Sequence, residues 1–250
     1  MGGTAPLFIS KSKVQDVPYN IIGVVYVQKT AVKTYRFYIR KLRKVLKIGV
    51  IGTINGIRIR SWFSHPSNHS TLQEVCQIYQ IPFFQVPTVN SLETIQCVNS
   101  MSPDLGISLG NSFIAKKIFT LFPNGMINIH GEILPEYQNA QSIIWQIYNG
   151  STKTGFTIHK INERIDQGDI LFQEEYPIHF KSSLKETVSF NSELTSNKAT
   201  IGLIELLSNY EQYFNKSKSQ GKGSSYTTPS IWSFIRIYIN YKRLSKSNKQ

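Results

Sequence analysis

Apolar residues along this chain alternate between two spacings. Short unbroken apolar runs at Ile21–Gln28, Ile81–Val86, Leu105–Leu109 and Met126–His130 read as strands buried on both faces. Thr154–Ile161 and Ile170–Tyr176 read as two more strands. Helical spacing occupies the intervals: Ala5–Lys13, Thr34–Lys47, a segment from Ser70 or Thr71 to Tyr79, Phe113–Phe122 and Ala140–Tyr148. Ile48–Phe63 reads as a further helix, weakened by Gly49, Gly52 and Gly56. Asn90, with Glu93 three residues on, has the form of a capping box and opens a helix to about Asn99. Strands alternating with helices at this rhythm predict an α/β fold, a mainly parallel sheet with helices on both faces.

The pattern changes after Pro177. One helix is expected over Lys198–Tyr213, a Lys/Ser/Gly-rich linker after it, and a basic aromatic helix over Ile231–Leu244 with a disordered polar tail. The expected division is therefore an α/β domain over residues 1–180, a helical extension over 181–215, a linker over 216–229, and the basic helix and tail over 230–250. Ahead of the first helix, Gly2-Gly3-Thr4 has the form of the phosphate-cradling turn of a mononucleotide fold. The strand that should precede such a turn is missing, so the sheet is expected to lack its first strand.

Composition narrows the class. A chain of 250 residues, 40% hydrophobic, is long enough for a sizeable core. Two cysteines, Cys76 and Cys97, with no His/Cys cluster, argue against a metal site or a disulfide framework. The apolar runs fall well short of the ~20 residues of a membrane span, and no signal peptide is visible. A cytoplasmic or organelle-stromal location is expected. The net charge of +13 is unevenly spread: between Asp16 and Glu74 there are ten Lys or Arg and no acid, and after Glu211 eight more. Such basic flanks suit phosphorylated or polyanionic partners.

The candidate chemistry sits in MINIHGEILPEY at 126–137 and INERIDQGDI at 161–170. Asn128 and His130 are two apart on a strand end, so both side chains share a face. Asp166 follows on a Gly-flanked loop. Pro103-Asp104 with its strand, the Asn-Ile-His signature, the Ile-Leu-Pro that follows, Gly150, the strand Thr154–His159 and Ile165-Asp166-Gln167-Gly168-Asp169 occur in the order and spacing of one family. From Pro103 to Ile178 the chain resembles the formyltransferases, which pass a formyl group from 10-formyltetrahydrofolate to an amine.

The resemblance implies a Rossmann-like formyltransferase fold and three catalytic positions. His130 would stabilise the oxyanion formed when the amine attacks, Asn128 would donate to the same oxygen, and Asp166 would orient His130 and help remove the amine proton. Ile107, Leu109, Gly110, Ser112, Ile114, Ile165 and Gly168 would line the folate pocket. His159, on a strand seven residues before Asp166, reads from its position as structural, supporting the site from behind. No metal is implied. Two positions depart from the family: Glu132 stands where a Ser or small residue is usual, and Gln138-Asn139 replaces an Arg-Gly. Both fall in the loop that faces the acceptor. The expected acceptor is a small, phosphorylated amino sugar. Methionyl-tRNA, glycinamide ribonucleotide and water (a formyl-folate hydrolase) are the alternatives, and a tRNA enzyme of this family usually carries a further C-terminal β-barrel. A reading from another class is a non-catalytic relative that binds a polyanion or a membrane surface through Thr34–Lys47 and Ile231–Leu244.

Overall fold

The computed structural model describes residues 4–27, 35–63, 71–139 and 143–247. Helix α1 (Thr4–Val14) leads to strand β1 (Val24–Val27), and α3 (Leu72–Ile78) leads to β2 (Phe83–Val86), which pairs parallel with β1. Between them runs α2 (Tyr35–Ser61), broken at Gly49, whose φ of 76° and ψ of 165° lie in a region open to glycine alone. The two helices expected on either side of position 48 are thus the two arms of α2.

Helix α4 (Leu92–Met101) follows β2. Its cap is Ser91, whose hydroxyl accepts from the Thr94 N–H, and not the expected Asn90. Asn90 is turned outward from the helix start: its amide donates to the Phe113 carbonyl and accepts from the Ala115 N–H, tying down the loop ahead of α5 (Lys116–Phe119). That loop uses part of the stretch expected to be helical from Phe113.

A second sheet carries strand order β3 (Gly106–Ser108), β4 (Met126–His130), β5 (Lys153–Lys160), β6 (Ile170–Pro177). β3 and β4 are parallel, whereas β5 runs antiparallel to both β4 and β6. The short connection from β5 to β6 is a hairpin loop, which only an antiparallel pair permits. The expected single sheet lacking one strand is therefore divided into β1–β2 and β3–β6. The two parts still share cores: Val24 and Phe83 pack with Ile107, Ile127 and Ile158 on one side, and Val27 packs with Ile118 and Met126 on another.

Helix α6 (Ile144–Tyr148) lies in the stretch expected to be helical from Ala140, of which 140–142 fall outside the described residues. The helix expected over 198–213 is two: α7 (Leu184–Ser208), capped by Ser183, and the short α8 (Tyr210–Asn215). α9 (Ile231–Ser247) continues beyond Leu244 into the segment expected to be a disordered tail, of which 248–250 lie outside the described residues. It packs Ile237 and Tyr241 against Ile59, Trp62, Ile143 and Ile147.

Candidate active site

Register builds the site. In the β4–β5 pair Asn128 stands opposite His159, and His130 opposite Thr157. Residues facing each other on one side of an antiparallel pair have close side chains. The Asn128 amide accordingly lies 3.2 Å from Nε2 of His159, and Nδ1 of His159 lies 2.8 Å from the Lys160 carbonyl. A carbonyl only accepts, so Nδ1 carries the proton and Nε2 accepts from Asn128. Burial pulls the His159 imidazole below its ordinary value, which keeps it in this neutral form; the neighbouring Asp166 opposes the shift and does not overcome it. His159 therefore takes one hydrogen of the Asn128 amide. The other has no partner among the described residues.

His130 is held from the opposite side. Its Nε2–H donates to the Tyr137 carbonyl at 2.7 Å, and Nδ1 stands 3.7 Å from Oδ2 of Asp166. Asp166 sits on the β5–β6 loop with φ of 54°. Its Oδ2 accepts the Asn139 N–H at 2.9 Å, and its Oδ1 is 3.7 Å from Nε2 of His159. The carboxylate thus faces both histidines, half-buried, with one backbone amide fixing it. Gly168 makes that loop geometry feasible: a Cβ there would lie 1.8 Å from the Lys160 carbonyl oxygen.

The turn after His130 is pinned from inside. Thr157 Oγ1 donates to the Glu132 carbonyl and accepts from the Leu134 N–H and the Gln173 amide. The Glu132 side chain is itself 1% exposed, and neither carboxylate oxygen has a partner among the described residues. Burial pushes its carboxyl well above the usual carboxylate range. Beyond the turn, Tyr137 stacks on Tyr226, which packs on Trp145, and Asn149 donates to both tyrosine hydroxyls.

Residues 216–229, expected to be a linker, instead run along the site. Lys218 exchanges both backbone hydrogen bonds with Ile170, and the Gln220 amide donates to the Gly168 carbonyl. Gln138 bonds through its backbone to Ser224 and Tyr226. One segment thereby clasps both the Asp166 loop and the Tyr137–Asn139 turn. The sequence carried no signal for this, because backbone pairing is independent of side-chain composition.

The structure brings Asn128, His130 and Asp166 together and adds His159 and Glu132. The residues expected to line a folate pocket are spread more widely. Ile107 and Leu109 pack against the main core, Ile114 is buried with Ile118 and Met126, Gly110 turns the chain at φ of 81°, and Ser112 and Ile165 are exposed. Gly168 lies against the Lys160 carbonyl.

The model of the formyl transferase family matches residues 65–199, more than half of the 250. The chain belongs to the formyl transferase family. It is 39% identical over 101 residues to the methionyl-tRNA formyltransferase of Syntrophus aciditrophicus, covering 40% of this chain and 32% of that protein. It is 26% identical over 179 residues to the bifunctional polymyxin resistance protein ArnA of Wigglesworthia glossinidia brevipalpis, covering 64% of this chain and 27% of that protein. The chain thus spans about a third of the length of these curated relatives. Among solved structures, the phosphoribosylglycinamide formyltransferase of Bacillus halodurans superimposes with a TM-score of 0.58 at 18% identity, over 85% of this chain and 94% of that one. That likeness establishes the Rossmann-like fold of formyl transferases, with the mixed sheet described above.

Proposed function

We propose that this formyl transferase passes a formyl group from 10-formyltetrahydrofolate to a primary amine. The observation that carries the reading is the convergence of Asn128, His130 and Asp166, with His159 behind them, at one end of β4. The folate supplies the formyl carbon and leaves as tetrahydrofolate. The amine lone pair forms the new C–N bond while the carbonyl electrons move onto oxygen. The unused N–H of Asn128 points a donor at that oxyanion, and His130 supplies a second once its bond to the Tyr137 carbonyl opens. A donor of this kind contributes ~10²–10³ in rate. Asp166 takes the amine proton, which returns to the departing folate nitrogen as the C–N bond to it breaks. A formyl carbon is unhindered, so no covalent nucleophile is required.

For the acceptor we propose an amino sugar. The part-exposed pair Tyr137 and Tyr226, backed by the buried Trp145 and edged by the Asn149 amide, adjoins the turn that holds His130 and offers an aromatic surface with polar margins to a small cyclic ligand. Methionyl-tRNA is a second reading, supported by the names of the curated relatives and by the +13 charge. Tetrahydrofolate release is measured with 10-formyltetrahydrofolate and either amino-sugar nucleotides or methionyl-tRNA. Release that depends on one acceptor, and that drops ~10²–10³-fold in His130→Ala, is the expected result. Equal inertness of wild type, His130→Ala and Asp166→Asn on every amine would sink the proposal.

A further inference from the structure

A helix on the surface of a globular protein buries one apolar stripe and shows solvent a polar one. The C-terminal arm of α2 does not follow this rule. Its inward side places Gly52, Gly56 and Ile59 against α9 and Thr228, with Ile59 1% exposed. Its outward side carries Val50, Ile54 and Ile57, exposed by 66%, 60% and 69%. The neighbouring α9 repeats the arrangement. Ile237, Tyr241 and Leu244 are buried, while Trp232, Ile235 and Ile239 on the far side are exposed by 78%, 42% and 60%. Both outward stripes turn away from the same core cluster.

The stripes are set among cations. Arg58 and Arg60 flank the α2 stripe, and Lys242 and Lys246 extend the face of α9, all exposed. The chain has no acid between Asp16 and Glu74, nor after Glu211. Aliphatic side chains beside Lys and Arg on two adjoining helices fit one partner chemistry. We propose that the outward face of α2 and α9 docks on an anionic membrane surface, the aliphatic residues and Trp232 entering the acyl boundary and the cations meeting lipid headgroups. A nucleic acid would use the cations and stack on aromatic rings, with no role for Val50, Ile54, Ile57, Ile235 and Ile239. A second copy would set this basic face against itself across a twofold axis. Among the described residues no helix is long and apolar enough to cross a membrane, so the contact is in the plane of the interface. The inference is independent of the formyl-transfer reading.

The chain contains its own reporter. Of its three tryptophans, Trp62 and Trp145 are 4% and 7% exposed, whereas Trp232 is 78% exposed. The intact protein is mixed with vesicles of phosphatidylcholine alone or with about a third phosphatidylserine, then sedimented. Pelleting and a blue shift of tryptophan emission are expected with the anionic vesicles, falling as salt screens the headgroups. Ile54→Ser with Ile239→Ser should weaken binding about ten- to hundredfold, with an unchanged circular dichroism melt because both residues are exposed. Lys153→Gln, on the β5–β6 hairpin, should bind as wild type. Failure to pellet with anionic vesicles, or undiminished pelleting of the double variant, overturns the proposal. So does a double variant that loses RNA binding in place of vesicle binding, or a wild-type dimer in light scattering that the double variant abolishes.

Discussion

His159 decides which way the Asn128 amide points. It is buried, neutral and proton-bearing at Nδ1, so its Nε2 can only accept. His159→Ala should let the amide turn, and misplacement of a donor by about 1 Å costs ~10²-fold in rate. The expected signature is a fall in kcat with KM for the folate unchanged; a rise in KM alone would assign His159 to binding. Glu132 makes a different prediction. In the unfolded chain its carboxyl titrates near ~4.3, and burial raises it well above that in the folded protein. Below the unfolded value both states hold the proton. As pH climbs past it, the unfolded chain releases the proton while the folded protein retains it, so stability declines with rising pH until the folded carboxyl ionises. Relative to wild type, Glu132→Gln should therefore gain stability as the pH rises above about 5, by up to ~1.4 kcal/mol per pH unit. Parallel urea-unfolding curves for the two proteins across that range would contradict this.

Elements differ in how openly they declare themselves. β4 is an apolar run bounded by turns, and its two polar members, Asn128 and His130, stand out against it. α7 is the opposite case. The N-terminal half of its buried side sets Thr187, Asn191 and Thr195 beside only Leu184 and Val188, and a reading that counts apolar positions passes over it. Each is paired inside: Asn191 exchanges hydrogen bonds with the His179 backbone, Thr195 accepts from Tyr176, and Thr187 accepts from the Lys181 N–H. Burial of a polar group is tolerated only with such partners, and these lie in the preceding segment, outside the helix itself. The glycines that weakened the expected helix over 48–63 prove to be its working parts. Gly49 supplies the break, and Gly56 lets Thr228 approach. Gly49→Ala should cost about 1–3 kcal/mol, seen as a lower Tm. An unchanged Tm would mean that the two arms of α2 straighten freely. Gly168→Ala should act at the site as well as on stability. The added methyl must push the Asp166 loop off the Lys160 carbonyl, so activity should fall along with ~1–3 kcal/mol of stability.

For the whole molecule, the sequence disclosed the α/β class and pointed to three residues that the structure brings together in the candidate site, because those rest on local pattern and on a motif with fixed spacing. It did not disclose the divided sheet or the antiparallel hairpin, since pairing partners are not written in any one strand. Nor did it disclose the strap at 216–229, whose Lys, Ser and Gly residues have the composition of a linker while its backbone pairs at Lys218, Ser224 and Tyr226. That strap sets the order in which the protein matures. Contacts between distant parts of a chain close late, because each must overcome loop-closure entropy. The pairings of Lys218 with Ile170 and of Tyr226 with Gln138 are of this kind. During synthesis the strand bearing Asn128 and His130 and the loop bearing Asp166 leave the ribosome well ahead of the segment that clasps them. A nascent chain halted before Lys216 would hold all three residues of the candidate site and still be unfinished, and activity should appear only when the clasp has been released and docked.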